Sequence, residues 1–177
     1  MTKPKPESEV DNVVQRLSKE GPLIAYFLLA IFILIALVSY SPNDPAFMTT
    51  GSSSVVSNAV GVSGAMVADI LLHLMGYLAY GFPAFLAYKI VESLRDKTES
   101  PEFSWALFGF KALGLILLVV SACGLATLHF EVAEDASYMA GGMLGALVVD
   151  FSRPVLAILG TTLVLFATFL FGLTITA

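Results

Sequence analysis

This sequence predicts an all-α membrane protein: four transmembrane helices forming two parallel helical-hairpin repeats, preceded by a short amphipathic N-terminal helix. Three observations predict it. Four apolar stretches, at about residues 23–40, 70–89, 106–128 and 155–176, each approach the ~20 residues a helix needs to cross ~30 Å of hydrocarbon. Lys and Arg gather before the first stretch and between the second and third. A glycine motif recurs at a fixed offset in the two halves of the chain. Composition agrees. Of the 177 residues, 57% are hydrophobic and 13% charged, where a soluble domain carries about 25% charged residues, and the mean hydropathy is +0.85. Residues 1–21 form a polar tail, residues 22–177 form one membrane domain, and the connections leave no room for a second globular unit.

The elements follow in chain order. Residues 1–7 are polar and proline-bearing, so disorder is expected. Ser8 with Asp11 resembles a capping box that opens a helix. Val10, Val13, Val14 and Leu17 fall on one helical face, with Arg16, Lys19 and Glu20 opposite, which suits a helix lying on a membrane surface. Gly21-Pro22 is the expected elbow into the first span, the alternative being an ordinary N-terminal extension of that span. The first apolar run is too long for a signal-peptide core, and no small-x-small cleavage site follows it before Pro42, so it reads as a retained span.

Span one ends at Ser41-Pro42-Asn43-Asp44-Pro45, where Asn and Asp bond their own backbone and Pro fixes φ. Asp44 is expected to order this loop. Span two carries Gly76, Gly81 and Pro83, which a membrane helix tolerates when neighbours pack against its backbone. A solvated charge run from Glu92 to Pro101 separates it from span three. Trp105 is an interfacial anchor there, and Lys111 snorkels along its own stem. Cys123, the one cysteine, reads as a small packing residue.

Lys3, Lys5, Arg16 and Lys19 precede span one, and Lys89, Arg95 and Lys97 lie between spans two and three. The loop after span one has no Lys or Arg, and the loop after span three has Arg153 alone. By the positive-inside rule both termini and loop 90–105 are cytoplasmic, and loops 41–69 and 129–154 face outward. The outward loops carry the carboxylates Asp44, Asp69, Glu131, Glu134, Asp135 and Asp150.

The motif Gly61-x-x-Gly64-Ala65-x-Val67-x-Asp69 recurs as Gly142-x-x-Gly145-Ala146-x-Val148-x-Asp150, and Ser39 in span one answers to Ser121 in span three. Both halves start on the same side, so the repeat is parallel, related by an axis along the membrane normal. Gly64, Gly76 and Gly145 are expected to let backbones approach closely. Asp69 and Asp150 are expected at the outer ends of spans two and four, capping exposed N–H groups at a helix start, with Arg153 pairing to Asp150. The alternative for these carboxylates is an ion or proton site. His73 and His129 have no spaced partner, so no metal centre is expected. No phosphate-cradling loop, nucleophile elbow or kinase motif occurs. No catalytic residue, metal or cofactor is therefore assigned.

The run Ser41-Pro42-Asn43-Asp44-Pro45, the stretch Gly61-x-x-Gly64-Ala65-x-x-Ala68-Asp69 leading into Leu71 and Gly76, and Pro83 resemble the N-terminal four-helix membrane region of the FtsK/SpoIIIE DNA translocases. So does Gly160-Thr-x-Leu163 through Phe169-Leu170-x-Gly172-Leu173-Thr174. The resemblance covers roughly residues 17–176, and the first loop with its glycine motif is its most specific part. It implies a bacterial inner-membrane anchor that helps recruit the protein to the division septum, with division proteins and lipid as partners. In that family a linker and a hexameric ATP-driven DNA motor follow, so a homo-oligomer is implied. The sequence stops at Ala177 without them. It is then a fragment, an engineered piece, or a short stand-alone relative, and neither ATPase activity nor DNA binding is assigned to these residues. The pI near 4.9 also argues against direct nucleic-acid binding. The competing function is a small four-helix transporter or exporter, which needs an ionisable residue at mid-membrane. A membrane enzyme fits least, because no nucleophile, base and metal set can be assembled.

Overall fold

The computed structural model describes residues 6–52, 55–95, 104–132 and 136–176. Residues 1–5 of the expected disordered tail, the charge run from Asp96 onward, and Glu134 and Asp135 lie outside the described residues. So do the side chains of 6–13 and 15–19 and their expected amphipathic face. Every element among the described residues is helical: α1 (Pro6–Val38), α2 (Gly61–Met75), a 3-10 segment (Gly76–Tyr80), α3 (Gly81–Arg95), α4 (Trp105–His129) and α5 (Gly142–Thr176). Among the described residues four stretches are long and apolar enough to cross a membrane: Glu20–Val38, Gly61–Arg95, Trp105–His129 and Gly142–Thr176.

Three expectations need correction. The N-terminal helix is not a separate element, because α1 runs without a break through Gly21-Pro22 into the first span. Proline disfavours helical backbone in the residue before it partly by pressing on that residue's Cβ, and Gly21 has none. The two loops are shorter than expected, spanning 39–60 and 130–141 rather than 41–69 and 129–154. The glycine motifs start helices instead of belonging to loops. Gly61 has φ +73° and Gly142 has φ +62°, a left-handed backbone that lets the chain turn into the helix and that only glycine adopts freely. Span two is also not one helix. Gly76, at φ +57° and ψ −135°, ends α2 before the 3-10 segment, and α3 starts five residues on. Pro83 then falls in the first turn of α3, where its missing N–H would have had no helical partner.

The repeat seen in the sequence extends to the backbone. In the second half, Ala157 sits at φ +53° and ψ −178° and breaks α5. It occupies the position that answers to Gly76 in the first half. Each half therefore consists of a helix, a loop, a half-helix opened by a left-handed glycine, a break, and a returning helix.

The returning helices pair with the helices that precede the loops. In the first half the Tyr80 hydroxyl donates to the Leu37 carbonyl at 3.1 Å, so α3 begins against the loop end of α1. Ile33, Ala36, Leu37, Ala68, Leu72 and Ala79 form the core there, with Tyr40, Val60 and Leu86 packed on it. In the second half, small residues set the spacing of α4 and α5. A Cβ on Gly172 would stand 2.7 Å from Leu118 N and 2.8 Å from Gly114 O, and one on Gly124 would stand 2.7 Å from Leu165 Cδ1. Backbones this close gain van der Waals contact that lipid cannot replace. Gly172→Leu is expected to force the pair apart and lower stability by about 2 kcal/mol or more, read as a lower thermal midpoint in detergent. An unchanged midpoint would mean that α4 and α5 are not packed this tightly.

Candidate interaction site at the loop end

Two buried carboxylates organise the loop end of the bundle. Asp44 is 1% exposed. Its Oδ1 accepts from Ser57 N at 2.8 Å and its Oδ2 from Asn58 N at 2.9 Å, which pins the far side of loop 39–60 to its near side. Asn58 passes this constraint on. Its Nδ2 donates to Ala36 O at 2.8 Å, and its Oδ1 accepts from Val60 N at 3.0 Å. A side chain on Gly64 would overlap Asn58 Oδ1, so that glycine makes room for the latch. Ser39 adds a second tie, its hydroxyl accepting from Ala59 N at 3.0 Å.

Asp69 is fully buried and gathers donors from two directions. The Thr49 hydroxyl donates to Oδ1 at 2.7 Å, the Tyr40 hydroxyl to Oδ1 at 3.3 Å, and the Met48 backbone N–H to Oδ2. His73, one turn further along α2, lies with Nδ1 2.8 Å from Asp69 O and 3.1 Å from Oδ1. A carbonyl oxygen only accepts, so Nδ1 carries the proton here. Asp69 thus holds the tip of the first loop down against α2, and each of its oxygens has a donor. A buried carboxylate is tolerated on these terms.

Tyr40 links this hub to the second loop. Its single O–H goes to Asp69, so the Ser137 hydroxyl, 2.6 Å away, donates to Tyr40 in turn. The Tyr138 ring packs edge-to-face on Tyr40 (centroids 6.0 Å apart) and on Tyr77 (6.1 Å), and the Tyr77 hydroxyl reaches Glu131 O at 3.4 Å. Burial pushes the Tyr138 phenol above its ordinary pKa, and Tyr80, Tyr77 and Tyr40 add to the push, so this phenol stays neutral. Tyr40→Phe is expected to cost about 1 kcal/mol and to loosen loop 130–141, read as faster amide exchange of Tyr138 and Met139. Unchanged exchange would mean the two loops are not coupled through this hydroxyl.

The glycine breaks complete the junction. Tyr77 N donates to Ala140 O at 2.9 Å. A Cβ on Gly76 would overlap the carbonyl oxygens of Ala140 and Met139, and one on Gly142 would overlap the backbone of Leu74 and Met75. Gly145 meets Thr127 and the Cys123 carbonyl in the same way. Cys123 is buried, with Sγ 3.8 Å from Met75 O.

Of the residues singled out by sequence, the structure brings together Asp44, Gly61 and Gly64 around Asn58, sets Asp69 in a second hub on the same loop, and joins Gly76, Gly142 and Gly145 in the adjoining contact. Pro83 is buried in α3. Asp69 and Asp150 do not cap helix starts. Each lies eight residues inside its helix. Asp150 and Arg153 are exposed and form no pair with each other. Sequence reasoning missed Tyr40, Thr49, Asn58, Tyr77 and Tyr138. Asn58 had a usable signal, an Asx residue placed to latch the turn just before Gly61. The tyrosines had none, since each looks like an ordinary interfacial residue. Among the described residues no group of three His, Cys, Asp or Glu side chains could hold a metal ion.

A family model described as the 4TM region of DNA translocase FtsK/SpoIIIE matches residues 15–177. The chain is similar to the DNA translocase FtsK of Pseudomonas putida KT2440, with 41% identity over 157 residues, 89% of this chain and 19% of that protein. It is similar also to that of Pseudomonas aeruginosa PAO1, with 38% identity over 161 residues, 90% of this chain and 20% of that protein. The Vibrio vulnificus CMCP6 protein is 39% identical over 154 residues, 87% of this chain and 15% of its own length. No solved structure matches. The chain thus spans about a fifth or less of the length of these curated relatives. The match of the whole membrane-spanning part to that family region makes this chain a member of the FtsK/SpoIIIE 4TM family.

Proposed function

We propose that this chain is the membrane anchor and septum-targeting module of a DNA translocase that acts in cell division and chromosome segregation. The observation that carries the reading is the family match over residues 15–177, on a chain whose four candidate spans occupy most of its length. The distribution of Lys and Arg favours both termini in the cytoplasm of a bacterial inner membrane. That is the side on which a DNA motor has to hang. The latched loops then face outward. Held in fixed shape by Asp44 and Asp69, they are a suitable surface for other division proteins, with the membrane lipid around the helices and further copies of the chain beside it, up to the family's hexamer. Direct nucleic-acid binding is not assigned to this region. The transporter alternative is weakened by the same hydrogen bonds. Asp44 and Asp69, the buried carboxylates among the described residues, have both oxygens engaged by donors, which leaves neither of these two free to carry a proton or an ion.

The test is localisation in dividing cells. A full-length translocase of the family carrying a fluorescent tag is expected to form septal foci, and removal of residues 1–177 is expected to disperse it into the cytosol. Septal foci that persist without these residues would overturn the targeting role. A reporter fused after Ala177 that is active only outside the cytoplasm would overturn the anchor role.

A further inference from the structure

Two segments of this chain are too long for the membrane they are supposed to cross. Gly61–Arg95 and Gly142–Thr176 each contain 35 residues, about 52 Å as continuous helix, against ~30 Å of hydrocarbon. The contacts say where each crossing really begins. Tyr80 bonds Leu37 at the loop end of α1. The 3-10 segment and α3 together, Gly76–Tyr80 and Gly81–Arg95, supply about 32 Å. His129 Nε2, at the loop end of α4, lies 3.0 Å from Thr162 Oγ1. Residues 158–176 supply about 28 Å beyond the break at Ala157. The returning helices therefore cross by themselves, and α2 and residues 142–156 are left over.

The leftover helix α2 runs sideways. Asn58, just ahead of it, bonds Ala36 O of α1, and Met75 at its other end meets Cys123 Sγ of α4. It thus bridges the first half to the second across the loop end of the bundle. Its inner face is Gly64, Ala65, Ala68, Asp69, Leu72 and Met75, all buried. Its free face presents Val62, Met66, Ile70 and Leu74, one per turn and all exposed. The repeat reproduces this stripe as Met143, Leu147, Phe151 and Val155, up to 84% exposed at Phe151. The four positions of the stripe are apolar in both repeats, and the exposed polar residues of these segments, Ser63 in the first and Asp150 and Arg153 in the second, lie beside the stripe. Two aligned apolar stripes of this kind are not a surface for water. The second stripe continues at the same spacing into Leu159 and Leu163 of the crossing helix, both exposed, which face lipid.

We infer that α2 and residues 142–156 do not cross the bilayer but lie in its plane, within the leaflet on the loop side, with the two stripes against acyl chains. This placement also settles Asp150 and Arg153. Both are exposed and would stand in hydrocarbon if α5 crossed along its full length. On an in-plane helix they reach the headgroups, as in interfacial helices generally.

The test measures depth. In nanodiscs, with Cys123→Ala as background, a nitroxide is placed in turn through Val62→Cys, Met66→Cys, Ile70→Cys and Leu74→Cys, all at exposed sites. Depth is read from accessibility to oxygen against a nickel chelate. A control series uses Leu159→Cys, Leu163→Cys, Phe166→Cys and Leu170→Cys. The first series is expected to stay within about 5 Å of one depth, and the control to span about 16 Å. A gradient near 18 Å across 62–74, the value for a crossing helix, would overturn the inference. So would labels exposed to the chelate and not to oxygen. A second measurement keeps Cys123. Phe151→Trp with Trp105→Phe is expected to be quenched best by lipids brominated near the headgroup end of the chain. Strongest quenching at the chain terminus, or none, would count against an in-plane helix.

Discussion

Asp69→Ala is expected to lower stability by about 3 kcal/mol or more, while Asp150→Ala changes it by less than about 0.5 kcal/mol. The two residues hold the same place in the same motif, so sequence predicts equal effects. Burial and partners predict the opposite. Asp69 is fully buried, and its loss strands the Thr49 hydroxyl and the Met48 N–H and takes its acceptor from the Tyr40 hydroxyl, while His73 Nδ1–H keeps the carbonyl of residue 69. Hydrogen bonds to a charged acceptor are each worth about 1.5–3 kcal/mol, and a buried donor left unmade costs its full desolvation. Asp150 is exposed and loses nothing of the kind. Asp69→Asn should fall between, because its NH₂ group would face the Met48 N–H while the other oxygen keeps its donors. Thermal unfolding in detergent reads the difference, at roughly 2–4 °C per kcal/mol. Equal midpoints for the Asp69 and Asp150 variants would show that the hub does not hold the fold.

The consequence reaches past stability. Loop 39–60 has two anchors, Asp44 at its base and Asp69 at its tip, and Tyr40 connects the second anchor to Ser137 of the other loop. Loss of the Asp69 carboxylate frees the tip but leaves the Asp44 latch to Ser57 and Asn58 intact. Protease nicking near Phe47 should therefore rise sharply in the Asp69 variant, with the base of the loop still protected. If division proteins read the shape of this surface, recruitment should fail in that variant while membrane insertion, which depends on the apolar helices, continues.

How far the sequence reaches can be seen residue by residue. The four spans were legible because hydrocarbon thickness demands a length of apolar helix that nothing else in a chain of this size requires. The starts of the helices that lead into the second and fourth of them were not. Gly61 and Gly142 read as loop residues because glycine usually punctuates, and the left-handed φ that lets each open a helix is a tertiary choice. The aspartates show the limit more sharply. Identical motifs place Asp69 and Asp150 on equivalent turns, yet only the first half has a loop long enough to fold Met48 and Thr49 back over its carboxylate. Loop 130–141 is shorter, and among the described residues it brings no donor to Asp150. The elbow expected at Gly21-Pro22 failed for a local reason, the missing Cβ that lets helix continue into proline. The tyrosine cluster was invisible because it joins residues far apart in the chain and follows no period.

The second large effect is expected at the two breaks, with opposite signs. Gly76→Ala should cost about 3–5 kcal/mol, and Ala157→Gly should stabilise by about 1 kcal/mol. Gly76 and Ala157 occupy equivalent positions of the repeat, and both have left-handed φ, at +57° and +53°. In the first half the sequence meets that demand with glycine. A methyl group there would bring strain of about 1–3 kcal/mol and would drive into the Ala140 and Met139 carbonyls, backbone atoms that cannot rotate aside as a side chain can. In the second half the demand is the same and the residue is wrong for it, so Ala157 carries the strain in place. Ala157 is exposed, so removing its methyl group gives up no packing. What opposes the gain is the extra freedom of glycine in the unfolded chain, about 0.5–1 kcal/mol, smaller than the strain relieved. Thermal midpoints of the two variants, measured side by side in the same detergent, should move in opposite directions from that of the natural sequence. If Ala157→Gly lowers the midpoint as a glycine in continuous helix would, α5 is unbroken at that residue and the backbone symmetry of the two halves fails there.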